Sequence, residues 1–405
     1  MLPRLLYVGD VPVEASYHGS ALLHRLLSDY PPDRLTVIET ATPSAPSRRL
    51  KDVDYLSHPL ANQRWLNTRF HPQAVAWFSR AATRRGLQIS ACLNGFGCES
   101  VLTVAHGFGW LAAADLAAKR NVPLHLMVHD DWPRVANVKP GFRDWIDAKF
   151  ASVYRQARSR FCVSPAMRAA YQARYGVGAE VLYPMRASGA ADFDAPPDRL
   201  VANEGIFTVA FAGSINSNGY IRALVSLQEA LERIGGRLLI FGPLTKEVAR
   251  EVGLDSPRTV VRGLVPASEL MMRLREEADV LFVPMSFEPA DRTNMELAFP
   301  SKLADCTTVG LPLLIHGPAY CSAVVWAREN VDVGEIVDRD QRPDLEHGLK
   351  RLASDPSWRV KLGKRALEVG REYFAHDRVQ QVFERALLSV PEEVTTGSQV
   401  EVAVR

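Results

Sequence analysis

The sequence predicts an α/β protein built from two doubly wound parallel-sheet domains, and three observations carry that expectation. Short apolar or β-branched runs alternate with longer amphipathic stretches almost throughout the chain, the pattern of strands joined by crossover helices. The alternation breaks once, at residues 187–205, where Ala-Ser-Gly-Ala-Ala-Asp and Ala-Pro-Pro-Asp replace large apolar groups with linker chemistry. The length of 405 residues, 47% hydrophobic and 23% charged, supplies enough apolar material for two cores.

Taken in order, Arg4–Gly9 reads as a strand, and Ser20–Asp29 as a helix with Leu22, Leu23, Leu26 and Leu27 on one side. Leu35–Glu39 is a strand, residues 43–70 read as irregular, and Pro72–Arg85 is a helix. Val101–His106, Leu124–His129 and Arg160–Val163 are strands separated by helices near 109–120 and 142–158, and Glu180–Tyr183 closes the series. After the linker, strand runs fall at Phe207–Ala212, Arg237–Phe241, Thr259–Arg262, Val280–Pro284, Leu313–His316 and Glu335–Val337. The expected organisation is therefore a first domain over 1–190, a linker at 191–205, and a second domain over 206–390. A final helix packs back on the first domain, and a polar tail at 391–405 frays.

Composition narrows the function classes. No apolar run approaches the ~20 residues of a transmembrane helix, and no ordered signal peptide opens the chain. The five cysteines are widely spaced without a C-x-x-C, which argues against a zinc or redox site and fits a reducing cytoplasm. Charge is uneven: residues 1–195 hold 23 Lys and Arg against 16 Asp and Glu, and the remainder 25 against 30. Two readings stay open, an anionic partner for the basic half or an unevenly solvated surface. The first includes a peripheral contact with the inner face of a membrane through Arg48, Arg49, Lys51, Arg64 and Arg69. No nucleic-acid partner is expected.

In doubly wound sheets ligands sit beyond the carboxyl ends of the strands, so the loops after Gly9, His106, His129, Gly213, Phe241 and Pro284 frame one cleft between the domains. The most informative stretch is Phe299-Pro-Ser-Lys-Leu-Ala-Asp-Cys-Thr-Thr-Val-Gly-Leu-Pro. Pro300 suits the first turn of a helix, which would place Ser301 and Lys302 where free N–H groups and a full charge bind phosphate. Asp305, one turn on, suits a pair of ribose hydroxyls; an ordinary capped helix with an exposed lysine also satisfies this segment.

The order of that stretch resembles the nucleotide-sugar site of retaining GT-B glycosyltransferases of the group-1, family-4-like type. Ala278–Glu288 is similar to the family's strand-and-acid block, Ala212-Gly213-Ser214 to its phosphate loop, and Leu239–Gly242 and Val261–Val265 to its next two strand ends. Val128-His129-Asp130 and Arg160–Ser164 resemble blocks of its first domain, and the likeness runs over residues 4–375. It implies a GT-B fold of two Rossmann-like domains and a metal-independent, hexosyltransferase-like transfer of sugar to a hydroxyl acceptor with retention. The acceptor would be a glycan, a lipid-linked glycan or a small molecule. The donor would be a nucleotide-sugar, UDP ahead of GDP, with no other cofactor. The first domain would face the acceptor and the second the donor. The implied catalytic set is His129, Lys302 and Glu288. The implied donor site is Gly213, Ser214, Gly242, Pro300, Ser301, Lys302, Leu303 and Asp305, and the acceptor or closure loop is His18, Gly19 and His106.

Two departures shape this reading. Glu288 and Glu296 have the family's seven-residue separation, yet counting back five from Gly310 selects Asp305 and leaves Glu296 a helix or loop carboxylate. Ser214 stands where the family commonly has the arginine that grips the diphosphate, so the charge falls to Lys302, with Arg222 and Arg292 as further cations. Asp338-Arg339-Asp340 spells a metal-binding tripeptide of other glycosyltransferases but reads as a solvated turn before Pro343, and no metal is expected. The rivals are an epimerase of the same fold and a non-catalytic nucleotide-sugar binder.

Overall fold

The computed structural model describes residues 1–389 apart from positions 17, 42, 60–62, 94, 133, 137, 203–204 and 216. The expected tail at 391–405 lies outside the described residues. The first sheet contains β1 (Leu5–Gly9), β2 (Leu35–Glu39), β3 (Asp54–Ser57), β4 (Ser100–Val104), β5 (Leu124–Val128), β6 (Ser159–Cys162) and β7 (Glu180–Val181). Its spatial order is β3-β2-β1-β4-β5-β6-β7, parallel throughout. The second contains β8 (Thr208–Ala212), β9 (Arg237–Phe241), β10 (Thr259–Gly263), β11 (Val280–Pro284), β12 (Leu313–His316) and β13 (Gly334–Val337). It is ordered β10-β9-β8-β11-β12-β13, again parallel.

The helices of the first half are α1 (His18–Leu27), α2 (His71–Cys92), α3 (Gly109–Arg120), α4 (Pro140–Gln156) and α5 (Pro165–Tyr175). Those that follow are α6 (Arg199–Ala202), α7 (Asn218–Arg233), α8 (Lys246–Glu251), α9 (Ala267–Glu277), α10 (Arg292–Leu297) and α11 (Lys302–Cys306). The last four are α12 (Ser322–Glu329), α13 (Arg342–Ser354), α14 (Pro356–Phe374) and α15 (His376–Leu388). Both strand orders reverse direction once, between β1 and β4 and between β8 and β11. A reversal opens a crevice at the carboxyl ends of the strands, so each sheet offers one ready-made ligand edge.

The strands read as unbroken apolar runs because both faces are covered. In β1, Leu6 and Val8 join one core while Leu5 and Tyr7 join another on the opposite face; in β11, Leu281 and Val283 separate from Val280 and Phe282 in the same way. Helix α15 leaves the second sheet and completes the first: Val379, Phe383, Ala386 and Leu387 pack with Leu5, Tyr7 and Phe161. Phe161 and Phe383 have ring centroids 5.8 Å apart.

Two sequence expectations need correction. Residues 43–70 are not wholly irregular: Asp54–Ser57 pairs with β2 as an edge strand, and its short polar sequence with only two partly buried residues hides the period-two signal. Helix α2 runs to Cys92 instead of Arg85. Gly86 does not stop it because its missing side chain lets α2 approach α3; a Cβ there would lie 2.7 Å from Asp115 Oδ2. The linker is docked: Leu200 is fully buried, and Arg371 of α14 donates to Asp192 at 2.9 Å.

Candidate active site

On the second sheet, the adjacent strands β8 and β9 are followed directly by Gly213 and Gly242, and β10 ends in Gly263. Gly213 N–H donates to Phe241 O and Gly242 N–H to Gly263 O, both at 2.9 Å. Gly213 and Gly242 have φ of 144° and 149°, and a Cβ on Gly242 would come within 2.2 Å of Gly213 O. Only glycine allows this backbone contact, which leaves the strand ends bare. Beside them lies a cavity of about 340 Å³ lined by Gly242–Lys246 and Val261–Leu264.

Lys302 points at this bare edge. A Cβ on Gly213 would stand 3.8 Å from both its Cε and its Nζ. The ammonium lies over the Phe211 ring at 4.5 Å and the Tyr220 ring at 5.0 Å. It is buried with no hydrogen-bond partner among the described residues. Burial pushes its pKa down to about 8. A buried ammonium normally finds a carboxylate or sheds its proton. Here the aromatic faces supply partial compensation, and an anion at Gly213 would supply the rest.

The surrounding chain differs from expectation in one respect. Pro300 does not open the helix; α11 begins at Lys302, with Ser301 at the cap position, and is one turn long. Phe299 is drawn into an aromatic cluster with Tyr183 (5.2 Å), Trp326 (5.9 Å) and Phe374 (5.8 Å), which keeps the preceding backbone out of the helix. So short a helix has little dipole, and the local positive charge is that of Lys302 itself. Leu303 is buried in the core, and Ser214 is partly exposed beside Gly213.

Glu288 stands at the start of α7: a Cβ on Gly219 would lie 3.2 Å from its Cγ, and its own N–H donates to Ser286 Oγ at 3.1 Å. Its carboxylate pairs with Arg222, which is inside α7 and exposed. Arg292 stacks over Tyr320 at 4.4 Å. Neither arginine competes with Lys302 for the Gly213 edge. Asp338 is paired with Arg328.

Asp305 is held across the cleft. Its two oxygens accept from the two guanidinium nitrogens of Arg25 in α1, both at 3.0 Å, and Arg25 also donates to Met185 O at 2.8 Å. Sequence reasoning did not single out Arg25; 280 residues separate the partners and only the folded chain joins them. Glu296 is exposed on α10. Were Asp305 to hold a ribose as well as Arg25, Asp305→Ala would raise the dissociation constant for a nucleoside diphosphate about 10- to 100-fold, the cost of a charge-assisted hydrogen bond. Glu296→Ala should leave it unchanged. Titration calorimetry of both variants checks this; equal effects would remove Asp305 from the site.

On the first domain, His129 follows β5 and meets the turn that opens α1. A Cβ on Gly19 would lie 3.1 Å from its Nδ1, so the glycine makes room for the ring. Burial lowers the His129 pKa to about 4, with His106 pressing in the same direction and Asp130 opposing. The imidazole is neutral at physiological pH. His106 is exposed, its ring centroid 6.3 Å from that of Trp132. His18 opens α1, and its side chain lies outside the described set. Two acids that sequence reasoning did not select fix this rim. Asp10, after β1, accepts from Phe108 N–H at 2.7 Å and Gly109 N–H at 3.2 Å, capping α3. Asp131, fully buried, takes two bonds from Arg174 at 2.7 and 3.4 Å.

The model of Glycosyltransferase Family 4 matches residues 33–184 of this chain, within the first domain. A comparison with curated proteins finds no match. Among solved structures, Anabaena HepE in complex with UDP and glucose is similar, with a TM-score of 0.63 and 13% identity over 96% of this chain and 100% of that one. Sucrose-phosphate synthase from Thermosynechococcus elongatus gives 0.67 and 14% identity over 95% and 98%. The UDP-forming trehalose-phosphate synthase from Burkholderia vietnamiensis gives 0.65 and 14% identity over 96% and 99%. At these identities the likeness is one of fold, and it spans both sheets: the architecture is GT-B. No helix among the described residues is long and apolar enough to cross a membrane.

Proposed function

We propose that the protein is a glycosyltransferase that moves a sugar from a nucleotide-diphosphate-sugar to a hydroxyl acceptor with retention of configuration. The observation that carries the reading is the buried Lys302 ammonium, without a hydrogen-bond partner among the described residues and aimed at the bare Gly213–Gly242 edge. A diphosphate there would receive the charge that Ser214 does not provide. The base would extend toward the cavity at Gly242–Lys246 and Val261–Leu264, and Asp305 would take the ribose. The UDP-bound HepE that shares the fold supports a nucleotide-sugar donor, and UDP is the nucleotide tested first. The bond from the anomeric carbon to the phosphate oxygen breaks and a bond to the acceptor oxygen forms, while the acceptor's proton passes to the departing diphosphate. His129, neutral and set against Gly19, would hydrogen-bond the sugar from the acceptor side, and Glu288 would contact it from the donor side. Catalysis then rests on charge stabilisation and on holding the two reactants together.

Thermal shifts with UDP, GDP, ADP and dTDP test the donor site. A ligand at a hundredfold excess over its dissociation constant adds about 2.7 kcal/mol to native stability, and UDP should lead. The pH dependence follows from Lys302. Its native pKa of about 8 lies below its ordinary 10.5, so between those values the unfolded chain binds more protons and the free protein gains stability as pH rises. Diphosphate binding needs the charged form, so affinity should fall about tenfold per pH unit above pH 8. No shift with any of the four at millimolar concentration would overturn the reading. With UDP-sugar and acceptor, free UDP marks transfer or hydrolysis, and an intact isomerised donor would mark an epimerase.

A further inference from the structure

The sequence from Tyr55 to Cys98 contains no aspartate or glutamate but holds Arg64, Arg69, Arg80, Arg84 and Arg85. Arg85 is buried and bonds backbone. The other four are exposed and form no ion pair among the described residues. They share the surface with large aromatic side chains that a water-facing helix normally buries: Trp65 is 56% exposed, Phe70 46% and Trp77 53%. Phe70, Trp77 and Arg84 follow at seven-residue intervals, with Arg80 and the exposed Leu87 filling the same stripe along α2. Trp65 and Phe70 lie side by side, ring centroids 6.4 Å apart, with the Arg69 guanidinium 4.9 Å over Phe70.

This surface has a definite place. Helix α2 crosses from β3 to the parallel β4 and so runs antiparallel to the strands. Its start, with Trp65 and Phe70, therefore lies at the carboxyl ends of the strands, the rim that carries His106 and His129. His71 Nε2 accepts from Lys139 N–H at 2.9 Å, tying that end to the segment after β5.

We propose that the outer stripe of α2 and the turn before it dock on an anionic lipid bilayer, with the acceptor rim of the first domain turned toward the headgroups. Tryptophan and phenylalanine interleaved with arginine on one helical face, without a single acid, match the interfacial zone of such a bilayer in both apolar and charge character. Single-stranded nucleic acid also takes arginine and aromatics, but in grooves, whereas this is the outward face of a helix. Of the basic residues the sequence suggested, Arg64 and Arg69 lie on this surface, whereas Arg49 is committed to Ser44 and Glu39 and covers Tyr55. The docking stands apart from the proposed transfer reaction and uses none of its residues.

The test is co-sedimentation of the full chain with vesicles of phosphatidylcholine alone and of phosphatidylcholine with phosphatidylglycerol, at low and high salt. Wild type should sediment with the anionic vesicles at low salt and be released at high salt. Arg80→Gln with Arg84→Gln should weaken partitioning about 25-fold, at roughly fivefold per arginine. Trp65→Ser with Trp77→Ser should also weaken it while keeping the wild-type melting temperature and UDP response. Tryptophan emission should shift to the blue on anionic vesicles in wild type but not in the Trp65/Trp77 variant. Any of three results would overturn the proposal: no sedimentation at low salt, binding by both pairs of variants as strong as that of wild type, or a wild-type dimer dispersed by Trp77→Ser, which would make the face a protein interface. A loss of the UDP shift in all proteins, with vesicle binding intact, would instead count against the transferase reading alone.

Discussion

Lys302→Met is expected to lose about 100- to 1000-fold in turnover, a larger effect than the accompanying rise in donor KM, as for the removal of a preorganised cation from an enclosed site. Charge on the departing diphosphate grows as the glycosidic bond breaks, so a cation at Gly213 favours the transition state over the bound donor. The same variant should be at least as stable as wild type. Burial lowers the Lys302 pKa from 10.5 to about 8, which means the folded protein holds this charge at a cost. Removing it returns about 3 kcal/mol at neutral pH, less whatever its contacts with Phe211 and Tyr220 contribute. Lys302→Arg keeps the charge in a broader shape and should retain part of the activity. Steady-state kinetics and urea unfolding on one preparation read both effects. A methionine variant with wild-type turnover would remove Lys302 from the mechanism.

Asp131→Ala is expected to cost about 3–5 kcal/mol of stability, as for a buried ion pair that loses one partner. The carboxylate is fully buried, and Arg174, left behind, is held over the rings of Tyr171 at 5.1 Å and Tyr175 at 5.6 Å. Its side chain is only 16% exposed, so the stranded charge would be poorly hydrated. Asp131→Ala combined with Arg174→Met should cost much less, because the stranded charge is gone. Urea denaturation with an unchanged m-value measures both; a loss below 1 kcal/mol in the single variant would show that the pair is dispensable. Because Asp131 lies two residues after His129, the single variant should also disturb the rim that meets Gly19.

The elements most legible in the sequence are those whose signal is local. Leu5–Gly9, Leu35–Glu39 and Val280–Pro284 are buried on both faces, so an apolar run marked each of them directly. Asp54–Ser57 was hidden because an edge strand needs no such run. The Phe299–Asp305 stretch drew attention to Lys302 through residue order alone, but its burial between Phe211 and Tyr220 depends on three separated segments meeting. The Arg25–Asp305 pair and the acids Asp10 and Asp131 were invisible for the same reason. Each is an ordinary charged residue in sequence, and what sets it apart is a partner brought by the fold.

The return of α15 to the first core has a consequence for how the chain is made. Tyr7 and Phe161 belong to the part synthesised first, yet the Phe383 that covers them emerges near the end of the described chain. Until then the nascent first half exposes a greasy cleft. A fragment stopped at residue 190 would keep that cleft permanently and should aggregate or recruit a chaperone. Fastened by α15, the molecule is closer to a buckled belt than to two beads on a string: opening the buckle loosens the first half, though the break lies in the second. Heating should accordingly give one cooperative transition for both halves, and a chain ending before His376 should split it into two.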